Sequence, residues 1–233
     1  MILSDKCWMK PTCKKYVSTD CMCRNDTIFC IKEFKMDYLY TSSLLTLEQR
    51  NHMNLRLDND GCDREAFNKL VNYQNNIEEN ILKGMNIYIY STITGNGKTA
   101  WATRLMQCFF NSIWYKTDLR CRGLFINVPR YLIAIKDNIS NNNEYAEHIK
   151  NNVYDADLVI WDDIGTKAAT SFEHENLLSI IDTRILSGKA NIFTSNISCE
   201  ALKELVGDRL YSRIINTSDI IAFYGKDKRG GII

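Results

Sequence analysis

The sequence lacks three features that would each point to a simple class of protein. No run of about 18 apolar residues occurs in the 233 residues, so we expect no membrane span. Basic and acidic residues nearly balance, 29 against 28, so no overall basic field indicates nucleic-acid binding. The first residues are polar and cysteine-rich, unlike a signal peptide. We therefore expect a cytoplasmic protein that recognises its partners through local features.

The sequence does contain enough apolar residues for one good core, and it has unevenly placed cysteines. Hydrophobic residues make up 45% of the chain, which suits one core with a small second module. An odd total of nine cysteines favours a reducing compartment over a disulfide framework. Five of them fall in the first 30 residues: Cys7, Cys13, Cys21, Cys23 and Cys30.

The cysteine-rich segment predicts a separate module at residues 1–40, followed by a linker at 41–60. The segment is too short and polar to bury a core of its own. A bound Zn²⁺ would solve this, because metal-binding energy is then folding energy, roughly 10 kcal/mol or more. We favour Cys7, Cys13 and Cys30, plus one of Cys21 and Cys23, as the zinc ligands. The alternative is a loose tail of free thiols.

Residues 87–99 combine a strand, a glycine-containing loop and the start of a helix. Aliphatic and aromatic residues alternate before the loop, and a helical pattern begins at Ala100. Free N–H groups at such a loop and the helix dipole behind it favour a phosphate group. The sequence therefore predicts a nucleotide-binding P-loop. Its predicted phosphate contacts are Thr94, Gly95, Asn96, Gly97, Lys98 and Thr99.

Two P-loop side chains have predicted roles. Lys98 would reach the β- and γ-phosphates as a point charge, and Thr99 would place its hydroxyl on Mg²⁺. The full pattern has glycine where this chain has Thr92, although Gly95 and Gly97 can still supply unusual backbone angles. A hairpin turn is the alternative, because Gly-Asn-Gly is a good turn sequence.

A second candidate site follows the apolar run at residues 157–161. This run ends in Asp162 and Asp163, which is typical of a buried parallel strand whose carboxyl end carries chemistry. Asp162 could hold Mg²⁺ through water, and Asp163 could orient or activate the attacking water. Adjacent acids are costly unless a cation lies nearby. A strand that simply leads into a turn is the alternative.

Later segments complete an α/β pattern with a parallel sheet. Asn196, which ends an apolar run, could contact the γ-phosphate or its water. Arg209 and Arg213 lie four residues apart on one face of a predicted helix; the alternative is a solvated basic face. Further strands are predicted at residues 123–128, 191–196 and 220–224, and helices from Pro129 and at 172–186.

The order of these segments resembles that of AAA+ ATPases, in particular the DnaA and DnaC/DnaI initiator and helicase-loader branch. Residues 162–165 resemble the Walker B segment, 194–196 resemble sensor 1, and 208–214 are similar to box VII. The resemblance implies a three-layer P-loop NTPase core at 61–233 that binds ATP with Mg²⁺. It also implies that Arg213 is a finger that reaches a neighbour's nucleotide, with Arg209 as runner-up. Arg229 is a weak candidate for sensor 2.

The same resemblance implies a function and partners. The cysteine-rich segment resembles the zinc-binding, helicase-contacting module of DnaI-type loaders, and phage-encoded loaders share this layout. We therefore expect an ATPase that loads a hexameric replicative helicase onto single-stranded DNA, in the host cytoplasm if phage-encoded. The alternatives are an IstB-type transposition helper ATPase, a nucleotide kinase, which the box VII set disfavours, and a non-hydrolysing adaptor that only occupies the helicase.

Overall fold

A computed structural model describes residues 27–51, 55, 57, 61–140, 142–166 and 170–228. A five-stranded sheet lies between two layers of helices. The strands are β1 Asn86–Tyr90, β2 Gly123–Asn127, β3 Leu158–Asp162, β4 Ala190–Ser195 and β5 Asp219–Ala222. The helices are α1 Thr27–Ser42, α2 Leu47–Arg50, α3 Arg64–Asn75, α4 Ile77–Leu82, α5 Lys98–Ile113, α6 Val128–Ser140, α7 Glu144–Asn152, α8 Ser171–Leu186 and α9 Cys199–Ile215.

All four strand pairings are parallel, and the strand order is β2-β3-β4-β1-β5. Strand β4 therefore separates β1, which leads into the glycine loop, from β3, which ends in the aspartates. The carboxyl ends of parallel strands meet at one edge of the sheet, so the glycine loop, the two aspartates and Asn196 all reach that edge. Asn127 lies opposite Asp162 in the register, and Ile89 lies opposite Thr194.

Alternation along the strands divides the core into two halves. Ile87 and Ile89 face the layer that contains α1, α3, α4 and α5. Tyr88, between them, faces the layer that contains α6 to α9. Successive strand residues point to opposite faces, so each strand contributes to both halves. This arrangement confirms the α/β core with a parallel sheet that the sequence predicts.

The helices follow the sequence closely, with one interruption. Pro129 lies in the first turn of α6, and α8 covers the predicted segment. The apolar spacing at residues 63–83 predicts one helix, but the structure divides this stretch at Asn76 into α3 and α4. Gly84 follows with φ of 73°, and a Cβ there would lie 2.6 Å from the Gly188 carbonyl oxygen. Glycine is therefore required both by the turn and by the close approach of the chain.

The described part of the N-terminal region packs on the α/β core. Helix α1 packs on the core through Leu39, which is fully buried, and the Ser43 carbonyl accepts a 2.8 Å hydrogen bond from Phe125 N–H. The predicted linker contributes too, since Gln107 Nε2 on α5 donates to the Gln49 carbonyl at 2.7 Å. Apolar residues on α1 thus pack on the α/β core, and the boundary predicted at residue 40 falls inside this helix.

Cys30 is the one predicted zinc ligand within the described residues, where it lies half-buried on α1. Cys7, Cys13, Cys21 and Cys23 lie outside them. The described residues contain no group of three or more His, Cys, Asp or Glu side chains placed to hold a metal ion. No helix in the same part of the chain has the length and apolar character needed to cross a bilayer.

Candidate functional site

Two glycines shape the loop between β1 and α5. Gly95 has φ of 73° and Gly97 has φ of 104°, a region that side-chain-bearing residues rarely adopt. Gly97 is the cap residue before Lys98, the first residue of α5. A Cβ on Gly97 would meet no heavy atom within 4 Å, so the loop leaves an open cradle at the helix N-terminus. Such a cradle is the expected place for a phosphate group.

The Lys98 ammonium lies inside this loop. Its side chain is buried, and Nζ donates to the Ile93 carbonyl at 3.1 Å and to Asn96 Oδ1 at 3.2 Å. Asn96 is also buried and donates from Nδ2 to Ser91 Oγ at 2.5 Å. These contacts hold a positive charge at the centre of the loop. The arrangement fits the phosphate contact predicted for Lys98.

Asp162 is the point where three strands and the helix meet. Thr99 Oγ1 and Thr194 Oγ1 each donate to Asp162 Oδ1 at 2.8 Å. Asn127 Nδ2 lies 3.5 Å from Asp162 Oδ2. A hydroxyl and a carboxylate converging from the loop helix and β3 are hard oxygen ligands of the kind that Mg²⁺ prefers. The residues therefore fit the predicted role of Thr99 and Asp162 in holding Mg²⁺, directly or through water.

Asp163 is held in an unusual backbone conformation beside Asn196. Its φ is 59°, and its N–H donates to Thr194 Oγ1 at 3.0 Å. Asn196 Nδ2 donates to Asp163 Oδ1 at 2.8 Å. Left-handed backbone in a non-glycine residue costs free energy and persists where surrounding contacts enforce it. The Asp163 carboxylate lies next to Asn196, the predicted sensor residue.

Two further side chains contribute to the site: Thr194, which lies in the predicted sensor 1 segment but had no predicted role of its own, and Asn127, which the sequence did not single out. Both are polar residues at the carboxyl end of a mostly apolar strand, which is the same signal that identified Asp162. Thr194 is fully buried and its hydroxyl contacts both aspartates, as acceptor from one N–H and donor to one carboxylate. It therefore couples the conformations of Asp162 and Asp163.

The predicted finger helix contains a kink. Gly207 has φ of 74° and ψ of 161° inside α9, so residues 208–215 run in a new direction. Arg209 and Arg213 are both exposed, while Leu210 and Ile214 on the other face are buried. Arg213 Nε lies 2.7 Å from Asp182 Oδ1 on α8, which forms an ion pair within the chain. Arg229, the sensor 2 candidate, lies outside the described residues.

Glu173 fixes the helix that follows the aspartate loop. Burial alone would raise its pKa, but the Thr170 N–H, the Lys136 ammonium and the Thr170 hydroxyl outweigh burial and lower the pKa to about 2. Thr170 N–H donates to Glu173 Oε2 at 2.6 Å, and Lys136 Nζ lies 2.9 Å from Oε1. These contacts form a capping box on α8 and join it to α6.

No family model matches the chain, but known proteins are similar to it in sequence. The replicative helicase loader DnaC of Buchnera aphidicola subsp. Baizongia pistaciae is 27% identical over 164 residues, which cover 70% of this chain and 64% of the relative. The Escherichia coli K12 DnaC is 26% identical and is covered over 61% of its length, against 69% of this chain. The chain thus spans less than two thirds of each of these relatives.

Solved structures share the fold. The crystal structure of the DnaC helicase loader matches with a TM-score of 0.56 and 16% identity over 75% of this chain and 94% of that one. The DnaI structure matches with a TM-score of 0.61 and 16% identity, over 80% and 95% of the two chains. DnaA bound to AMPPCP and single-stranded DNA matches with a TM-score of 0.56 and 19% identity, over 79% and 52%.

The fold is an α/β fold shared with the solved DnaA structures, and the residues grouped at its sheet edge form a candidate P-loop site. The chain is thus similar in sequence to replicative helicase loaders named DnaC, and it shares its fold with the solved DnaC and DnaI structures.

Proposed function

We propose that this protein is an ATPase that loads a hexameric replicative helicase onto single-stranded DNA. The observation that carries the proposal is the convergence of Lys98, Thr99, Asp162, Asp163 and Asn196 at one sheet edge, in a chain similar to DnaC. The convergence supports ATP chemistry, and the similarity supports the helicase and DNA as partners.

ATP would bind at the loop through backbone and side-chain groups. The N–H groups of residues 94–99 would cradle the phosphates, and Lys98 would exchange its bonds to the loop for bonds to phosphate oxygens. Thr99 and Asp162 would hold Mg²⁺, which neutralises charge that develops on the phosphates. Thr194 keeps the Asp162 carboxylate in place for this contact.

Hydrolysis would be organised by Asp163 and Asn196. The Asp163 carboxylate would accept a hydrogen bond from the attacking water and orient it in line with the γ-phosphate. Asn196 already contacts Asp163 and would divide its amide between that carboxylate and the γ-phosphate or its water. Detection of the γ-phosphate would thus be coupled to the position of the water.

Arg213 would act on the ATP of a neighbouring subunit. Its exposed place on α9 beyond the kink leaves it able to face another copy of the chain. Assembly would exchange the Asp182 ion pair for a phosphate contact, which a planar guanidinium makes well. Self-assembly would therefore control turnover.

The zinc module would supply the grip on the helicase. This part of the proposal rests on the cysteine-rich segment at residues 7–30, which is too polar to bury a core unaided. Cys7, Cys13 and Cys30, with Cys21 or Cys23, remain the proposed ligands. Elemental analysis that finds no stoichiometric zinc in the purified protein would remove this part of the proposal.

The experiment that tests the function joins a pull-down to a turnover assay. The protein should capture a hexameric replicative helicase, and ATP hydrolysis should rise when that helicase and single-stranded DNA are both present. Lys98→Ala should abolish the rise. Lys69→Ala, which removes an equal charge from an exposed ion pair with Glu65 on α3, is the matched control and should not.

The adaptor reading gains support from Thr92, which replaces the first P-loop glycine. An adaptor would capture the helicase without any ATP turnover. Helicase capture with no hydrolysis above the Lys98→Ala background would therefore favour the adaptor and end the ATPase proposal.

A further inference from the structure

The chain after β5 turns onto the phosphate loop. Phe223 N–H donates to the Tyr90 carbonyl at 2.9 Å and so continues the pairing with β1. Lys228 N–H then donates to the Gly95 carbonyl at 3.0 Å. We call residues 224–228 the strap. The residue before the strap is bonded to β1, and the last residue of the strap is bonded to the glycine loop.

Asp63 holds the first two residues of the strap. Its carboxylate is buried, and Oδ1 accepts hydrogen bonds from Tyr224 N–H at 2.7 Å and from Gly225 N–H at 3.1 Å. Oδ2 accepts from Gly225 N–H at 3.2 Å. Burying a carboxylate is costly unless its oxygens are hydrogen-bonded, and charged acceptors make the stronger bonds. The start of α3 therefore determines where the strap begins.

Asp227 is the strap residue whose side chain packs on the loop. A Cβ built on Gly95 would lie 1.8 Å from Asp227 Oδ1 and 2.3 Å from its Cγ, so the carboxylate packs directly on the Gly95 backbone. Only glycine allows this contact, because any larger residue would displace the carboxylate. A negative charge is thus held against a loop whose geometry favours phosphate.

A carboxylate and a triphosphate at one loop repel each other. The two charges would lie within a few ångströms of each other. This distance is shorter than the screening length of salt at ordinary ionic strength, so the repulsion is only weakly screened. The phosphate chain of ATP carries more charge near the loop than that of ADP or AMP. Any penalty from Asp227 should therefore grow with the number of phosphates.

We propose that the strap competes with ATP for the phosphate loop, with Asp227 as the residue that lowers ATP affinity and Asp63 as the positioning residue that holds it there. This inference rests on the proposed ATP site. Binding of ATP would move the strap off Gly95, and the strap would report nucleotide occupancy on the surface beside α3 and β5.

The first test compares nucleotide affinity in Asp227→Asn and the wild type. The variant should bind ATP on the order of tenfold more tightly, with a smaller gain for ADP and almost none for AMP, and 1 M salt should shrink the gain. Asp118→Asn removes the same charge from an exposed position before β2, at the opposite edge of the sheet, and should change no affinity. Equal or weaker ATP binding by Asp227→Asn would overturn the proposal.

The second test uses a double-mutant cycle. Asp63→Ala should tighten ATP binding in the wild type but add nothing in the Asp227→Asn background, because it acts by releasing Asp227. An equal effect in both backgrounds would refute the positioning role. If Asp63→Ala fails to fold, Asp227→Asn alone decides the proposal.

Strap movement has its own readout. ATP should speed tryptic cleavage after Lys226 in the wild type, since release from Gly95 exposes the peptide. Slower cleavage with ATP would contradict displacement. A wild type that binds no ATP would end the proposed function together with the strap, whereas ATP binding that Asp227→Asn leaves unchanged would end the strap alone.

Discussion

The Thr194 hydroxyl donates a 2.8 Å hydrogen bond to Asp162 and accepts a 3.0 Å hydrogen bond from the N–H of the next residue, Asp163. One buried hydroxyl therefore holds both the carboxylate assigned to Mg²⁺ and the backbone of the residue assigned to the water. Strand β4 can do this because it lies between β3 and β1 in the sheet.

Replacing Thr194 by valine should impair hydrolysis more than nucleotide binding. Valine keeps the shape but leaves the Asp163 N–H without its acceptor and Asp162 without one donor, which should cost about 1–3 kcal/mol of stability. The turnover rate should fall at least tenfold, while ATP affinity changes less. Thr194→Ser retains the hydroxyl and should restore most of the rate; failure of serine to do so would show that the methyl group, not the hydroxyl, matters.

Lys98→Ala should lose ATP binding while keeping the fold. Lys98 Nζ donates hydrogen bonds to the Ile93 carbonyl and to Asn96 Oδ1, which are both loop atoms, so we expect a stability loss of about 1 kcal/mol. Nucleotide titration should show affinity reduced by at least tenfold, and thermal unfolding should be nearly unchanged. Normal affinity in a folded Lys98→Ala protein would count against the P-loop assignment.

Arg213 should be needed in trans. Arg213→Ala and Asp163→Asn should each be inactive, and Arg213→Lys should fail too because an ammonium lacks the planar fork. Mixing the two dead proteins should restore part of the activity at interfaces that pair an intact finger with an intact Asp163. Fingers of this kind are worth roughly 10³–10⁵ in rate, so even partial recovery should be measurable.

The control for that mixture is co-assembly of the two variants, shown by cross-linking. Two results together would contradict the finger role: Arg213→Ala alone turns over ATP at the wild-type rate, and a mixture that co-assembles recovers no activity. Arg213 would then be only a surface residue that pairs with Asp182.

Glu173 should make the protein sensitive to acid. Its pKa is near 4.5 when the chain is unfolded and about 2 when folded, so the stabilisation is complete above pH 4.5 and is lost as pH falls towards 2. The loss should be roughly 3 kcal/mol. Denaturant unfolding at several pH values should show that the free energy of unfolding of Glu173→Gln falls less steeply below pH 4.5 than that of the wild type. Lys136→Met should show an intermediate slope. An acid limb that Glu173→Gln leaves unchanged would contradict the assignment.

The sheet and the loop were predictable because short local patterns determine them. Alternating residues before Gly95 predicted β1, and an apolar run ending in two acids predicted β3. The strand ends carry polar residues for the same reason, which is how Asn196 was found. The sequence predicted the presence of five strands, but their order depends on packing between distant segments.

Contacts between distant segments were not predictable from one sequence. Arg184 reads as an ordinary helix residue, yet it is fully buried and donates to Asn191 Oδ1 at 2.9 Å and to the Ala190 carbonyl at 2.7 Å. Asp63 and Asp227 carry no local pattern that links them to the loop. Helix α1 likewise packs on the core through distant partners: the ring centroids of Tyr40 and Phe110 lie 5.6 Å apart.

The most direct test of ATP-dependent loading measures how many helicase hexamers are retained on circular single-stranded DNA. Circular DNA has no free end, so a closed helicase ring cannot slide onto it unaided. We predict that helicase hexamers are retained on the DNA when the protein and ATP are both present. Without ATP, or with Lys98→Ala, we predict only background levels of retained helicase. Retention that is equal with Lys98→Ala, or equal when the protein is left out, would contradict it.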